Sequence, residues 1–252
     1  MAWVESVSPS FRARHESADA EDVSRTLEDL ERLRDELDRR FAATPGDVSV
    51  VFHRSAAALD LSKPALPLLR RLDAPAARRY RVGAVAAGRL DVLAPRVLRE
   101  RASGGAGGST SLEMLLHAPR ALYARLAVAH VNPALPPPPT PRRLRAGLRW
   151  AWLLEGAAAW LGGQVEHARP AIVRRLREGP APAFPPARPD AALLGGTVFD
   201  LLAREAGVDA AFALAQRPPA RDDARTVLEE AFAGRPLSHT EAAWRAHLVR
   251  RP

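Results

Sequence analysis

One carboxylate stands out by its surroundings. Glu155 lies in Trp150-Ala-Trp-Leu-Leu-Glu-Gly-Ala-Ala-Ala-Trp160, with no other ionisable residue between Arg149 and Glu166. Burying an unpaired carboxylate costs several kcal/mol as an order-of-magnitude figure, so Glu155 calls for a metal ion, an arginine or a histidine opposite it, or a proton of its own. Other routes to chemistry are closed or unsupported. The chain has no cysteine, which excludes a thiolate nucleophile, thiolate metal ligands and a disulfide framework. There is no Gly-x-Ser-x-Gly elbow, and the glycine-rich stretch from Gly104 to Gly108 lacks the Lys-Ser/Thr ending of a phosphate loop.

The stretch Trp152-Leu-Leu-Glu155-Gly-Ala-Ala-Ala-Trp160 resembles the Trp-Leu-x-Glu-Gly-x-Ala helix of zincin-like metallopeptidases of the gluzincin, or peptidase MA-like, superfamily. In that family the glutamate is the third zinc ligand. The resemblance implies an earlier helix carrying His-Glu-x-x-His, whose two imidazoles lie one turn apart and whose glutamate activates the metal-bound water. The helix read from Pro119 to Asn132 offers the window Leu126-Ala127-Val128-Ala129-His130 for those five places. Leu126 then stands at the first ligand position, Ala127 at the base position, and only His130 survives. Two protein ligands fall short of the three that a catalytic zinc site needs. His117 is thirteen residues ahead of His130, and Pro119 lies between them; His15, His53, His167, His239 and His247 lie on other segments and read as surface or locally bonded imidazoles.

The resemblance therefore implies a degenerate zincin-like protein, with no metal and no cofactor. In it His130 and Glu155 pair between two helices, joined by Arg125, where a metal would otherwise sit. The function expected on this basis is that of a catalytically inactive pseudopeptidase that binds a peptide or protein or serves as a scaffold. The alternative is a metal-dependent peptidase or other hydrolase with a rearranged site.

The elements that must position these residues divide at a Gly/Ser-rich segment, 103 to 109. Ahead of it, residues 18 to 43 repeat Val23, Leu27, Leu30, Leu33, Leu37 and Phe41 at three- and four-residue steps, which predicts an amphipathic helix. Strands are expected at 11–15 and 48–52, with a hairpin of 80–86 and 90–93 turning at Ala87-Gly88-Arg89. By the resemblance, that hairpin supplies the edge strand along which such peptidases lay substrate. Beyond the segment, helices are expected over 111–117, 119–131, 142–163, 169–178, 190–206, 208–215, 222–233 and 239–249. Thr110 with Glu113, and Ser238 with Glu241, have capping-box spacing. Pro133 to Pro141 and Pro180 to Pro189 read as extended connectors. Gly195 and Gly196 resemble the small residues of a helix packed behind the zinc site. Trp150, Trp152 and Trp160 at helical spacing read as core. The fold class expected is α+β: a small N-terminal mixed sheet with a long helix (1–109), then a mostly helical part (110–252).

The 37 basic and 29 acidic side chains give a net charge of +8. Lys63 is the only lysine, and the arginines form scattered pairs with few interleaved aromatics, so a nucleic-acid partner is not expected. No apolar run approaches the roughly 20 residues of a spanning helix, and Met1 to Ser10 carries no signal-peptide pattern, so no membrane partner and a cytoplasmic location are expected.

Overall fold

The computed structural model describes residues 2–103, 111–132, 145, 147–217 and 223–250. It is an α+β protein in which a five-stranded mixed sheet precedes a helical C-terminal part. The strands are β1 (Trp3–Val7), β2 (Phe11–Glu16), β3 (Val48–His53), β4 (Gly83–Ala86) and β5 (Arg89–Leu93), in the order β1-β2-β3-β5-β4. The three central strands run parallel, and both edges are antiparallel.

The two-residue period of the strands separates two faces. Phe11, Ala13, Val48, Val50, Phe52, Leu90 and Val92 are buried on one, while Arg12, Arg14, Ser49 and Arg89 alternate onto the other. The long helix α1 (Ala20–Asp38) connects β2 to β3 and buries Val23, Leu27, Leu30, Leu33 and Leu37. It ends five residues before the expected boundary, yet Phe41 remains in the core. The hairpin turns where expected: Gly88 holds φ +63°, a region open to glycine at little cost. Strand β1 pairs with β2 although its sequence was not read as a strand.

Between β3 and β4 the chain forms α2 (Ala56–Ser62), α3 (Ala65–Leu72) and α4 (Pro75–Arg78), and α5 (Pro95–Ser103) follows β5. None of these was expected. Each is nine residues or shorter, too brief to display the repeat that betrays a longer helix. The helical part comprises α6 (Leu112–Leu116), α7 (Ala118–Val131), α8 (Ala151–Leu161), α9 (Arg169–Arg177), α10 (Ala191–Ala206), α11 (Val208–Gln216), α12 (Ala224–Ala231) and α13 (Leu237–Arg250).

Of the two expected capping boxes, Thr110 lies outside the described residues, and the cap of α6 is its neighbour Ser111, whose hydroxyl accepts from Met114 N at 3.1 Å. Ser238 lies inside α13 rather than ahead of it. The glycine-rich stretch 104–108 and the whole of the proline connector 133–141 also fall outside the described residues.

Two contacts fix the geometry around Glu155. Helix α8 crosses α10 so closely that a Cβ on Gly156 would meet the carbonyl carbon of Gly195 at 2.6 Å, and one on Gly195 would meet Trp152 O at 2.6 Å. Only glycine fits at these positions. Helix α7 meanwhile packs on β4, β5 and α1, with Phe11 and Tyr123 edge to face at 5.0 Å. Trp150 and Trp152 are buried, in keeping with their reading as core. Among the described residues no helix is long and apolar enough to cross a membrane.

Candidate functional site

The carboxylate of Glu155 emerges from α8 toward α7 and the segment leading into β4. Its side chain is 16% exposed, and two guanidiniums face it: Arg81 Nη1 and Arg125 Nη2 each lie 3.5 Å from Oε1. Of the partners the sequence left open, arginine is the one present. Arg125 was foreseen as a partner; Arg81 was not.

Arg81 is itself buried at 6% exposure, and its other nitrogens are spoken for. Its Nε and Nη2 hold both oxygens of Asp73, which is fully buried and also accepts from Arg188 Nη1 at 2.6 Å. A chain of alternating charge thus runs Arg188, Asp73, Arg81, Glu155, Arg125. The backbone hydrogen bond from Ala74 N to Pro189 O at 2.8 Å ties the same two segments together. Burial alone would raise the pKa of Glu155; Arg125, Arg81 and Arg188 overcome that and bring it from 4.5 down to about 2. Glu155 is therefore ionised at neutral pH and holds no proton to give. Arg81 is raised above its ordinary value, because Glu155 and Asp73 more than offset its own burial.

In front of this network is a cavity of about 60 Å³, room for a few water molecules or a small polar group. Arg81, Arg125 and Glu155 line it, together with Gly83 at the start of β4 and Ala121 and Leu122 of α7. Gly83 is tight against that helix, since a Cβ there would meet Leu122 Cδ1 at 2.5 Å.

The expected window on α7 is not the one that faces Glu155. His130 is exposed and forms no hydrogen bond or ion pair with Glu155, and Leu126 and Ala127 are core residues at 5% and 0% exposure. The helix explains the miss. His130 is five residues beyond Arg125, about 7.5 Å along the axis and about 140° around it, so it leaves the face that Arg125 occupies. The positions spaced i, i+1 and i+4 that line the cavity are Ala121, Leu122 and Arg125, five residues earlier than the sequence pattern placed them.

These residues do not fit a zinc ion. The group facing Glu155 from the i+4 position is a guanidinium, a cation with no free electron pair to donate. Among the described residues no three His, Asp or Glu side chains gather as a metal site would require.

No family model, no curated protein and no solved structure matches this chain.

Proposed function

We propose that this chain is a catalytically inactive, zincin-like protein whose Glu155 cleft binds an acidic peptide segment of a partner protein. The observation that carries the reading is the pairing of Glu155 with Arg81 and Arg125. On a zincin-like reading, those guanidiniums put fixed positive charge where a metal would lie, and an alanine and a leucine stand at the remaining motif positions.

Two further features support binding rather than a purely internal brace. Gly83 of edge strand β4 lines the cavity, and an extended peptide can add to the outer side of such an edge through main-chain hydrogen bonds. Arg125 keeps 27% of its side chain exposed, and the two arginines outnumber the single carboxylate of the cavity. An acidic side chain laid beside β4 would find a charge-assisted partner there.

The test uses the purified chain, incubated with zinc and dialysed, against a bead-displayed peptide library. The expected result is less than 0.1 zinc per chain, roughly, no cleavage of the library, and capture of acidic peptides that weakens about tenfold in Arg125→Ala, as loss of one charge-assisted contact implies. Stoichiometric zinc lost in Glu155→Gln, accompanied by peptide hydrolysis, would overturn the reading and restore a metallopeptidase.

A further inference from the structure

The opposite face of the sheet carries a second set of ionisable residues that shares nothing with the Glu155 cavity. Strand register places Arg12, Ser49 and Arg89 in one row and Glu5, Arg14, Val51 and Asp91 in the next. Asp91 is completely buried, and its carboxylate accepts from His53 Nε2 at 2.9 Å, from Arg89 Nε and Nη2 at 2.9 and 2.8 Å, and from Lys63 Nζ at 2.7 Å. Burial acts to raise its pKa, but the bonds from His53, Arg89 and Lys63 prevail and hold it well below the usual carboxylate range.

An ionised Asp91 can only accept, so His53 must carry its proton on Nε2. That fixes the ring. Its other nitrogen, Nδ1, makes no hydrogen bond among the described residues, and the ring borders an open depression of about 420 Å³. Arg12, Arg14, Arg89 and Ser49 line the depression, with Trp3 at its rim.

The charges do not cancel. Arg12, Arg14, Arg89 and Lys63 are four cations against the two carboxylates Glu5 and Asp91. Arg12 is taken by Glu5 at 3.3 Å, and Arg89 by Asp91. Arg14 forms no ion pair among the described residues; its guanidinium stacks over Trp3, 5.0 Å from the ring centre.

We propose that this depression binds a phosphate-type oxyanion, held by Arg14 and Arg12, with the His53 ring that Asp91 orients presenting Nδ1 to accept from a P–OH of the anion. Guanidiniums match the paired oxygens of such an anion, and a fixed ring edge adds direction to the charge. The ligand is either free phosphate or the phosphoryl group of a small molecule whose aromatic part lies on Trp3, which is 43% exposed.

The experiment follows the His53 ring resonances by NMR, assigned through their loss in His53→Asn, during titration with inorganic phosphate or AMP against chloride at equal ionic strength. A saturable shift is expected, with affinity lowered about tenfold in Arg14→Ala, whose exposed side chain leaves the fold intact by circular dichroism. Tighter binding of AMP than of phosphate, abolished by Trp3→Ala, identifies a phosphorylated aromatic ligand; equal affinities identify the bare phosphoryl group. No saturable shift with either probe, or a titration unchanged in Arg14→Ala, overturns the proposal.

Discussion

Asp91 and Glu155 solve the same problem in different ways. Each is an ionised carboxylate removed from most of the solvent, and each is held by arginine. Asp91 draws its donors from its own and adjacent elements, at 2.7 to 2.9 Å, and the result is a tightly bonded knot on a sheet strand. Glu155 draws on residues 74 and 30 positions earlier in the chain, both at 3.5 Å, across a cavity. Short bonds that leave no space between the partners make a structural fixture. Longer pairs across an open space leave capacity for another ligand, which is why the binding reading falls on Glu155 and not on the Asp91 carboxylate itself.

That contrast ranks the consequences of removing each charge. Asp91→Asn should be the most damaging, because it leaves Arg89 and Lys63 facing an amide in a fully buried position. Breaking a buried ion pair from one side costs about 3 kcal/mol or more, and urea unfolding at pH 7 measures it. A loss under about 1 kcal/mol would mean that the knot is loose and that the two carboxylates are alike after all.

Glu155→Gln should cost less, about 2 kcal/mol, since Arg81 keeps Asp73 and Arg125 can turn toward water. Its pH dependence is the sharper signature. The folded-state pKa lies near 2 and the ordinary value is 4.5, so the ionised form is favoured by folding. The stabilisation it brings is fully present above about 4.5 and is lost as pH falls toward 2. The difference in stability between wild type and Glu155→Gln should therefore be constant above pH 5 or so and shrink toward zero near pH 2. A difference that stays level through that range would show that the arginines do not hold the carboxylate.

How far the sequence discloses all this depends on distance along the chain. The need for a partner at Glu155 was legible because a lone charge in Trp152-Leu-Leu-Glu155-Gly-Ala is conspicuous, and Arg125 lay on a helix already expected to pack nearby. Arg81 was invisible: it is one arginine among dozens, and nothing local marks it as buried. Asp91 carried a signal that could have been used, a single acid between Leu90 and Val92 on an expected strand, on the face shared with Arg89. His53 read as a surface imidazole because its aspartate is 38 residues away. The long helix α1 announced itself by period, whereas the short helices α2 to α5 and the edge strand β1 depend on tertiary contacts that no local pattern records. Which face of α7 meets Glu155 was hidden for the same reason, since a motif window fixes spacing within one helix but not which of its faces meets another.

The smallest predicted effect separates local folding energy from the ion network. Ser111 caps α6 through Met114 N, and its own amide donates to Tyr80 Oη at 3.0 Å; Tyr80 and Met114 both border the Glu155 cavity. Ser111→Ala removes the cap and should cost about 1 kcal/mol, the ordinary value for a lost N-cap, while the backbone bond to Tyr80 survives. It touches none of the five charged residues in the chain from Arg188 to Arg125. If Glu155 is held by those charges alone, the stability of Ser111→Ala should run parallel to wild type across the acid range, displaced downward by a constant amount. Convergence of the two curves near pH 2 would mean instead that the cap and the carboxylate are coupled, and that the cavity's wall, rather than its arginines, sets the state of Glu155.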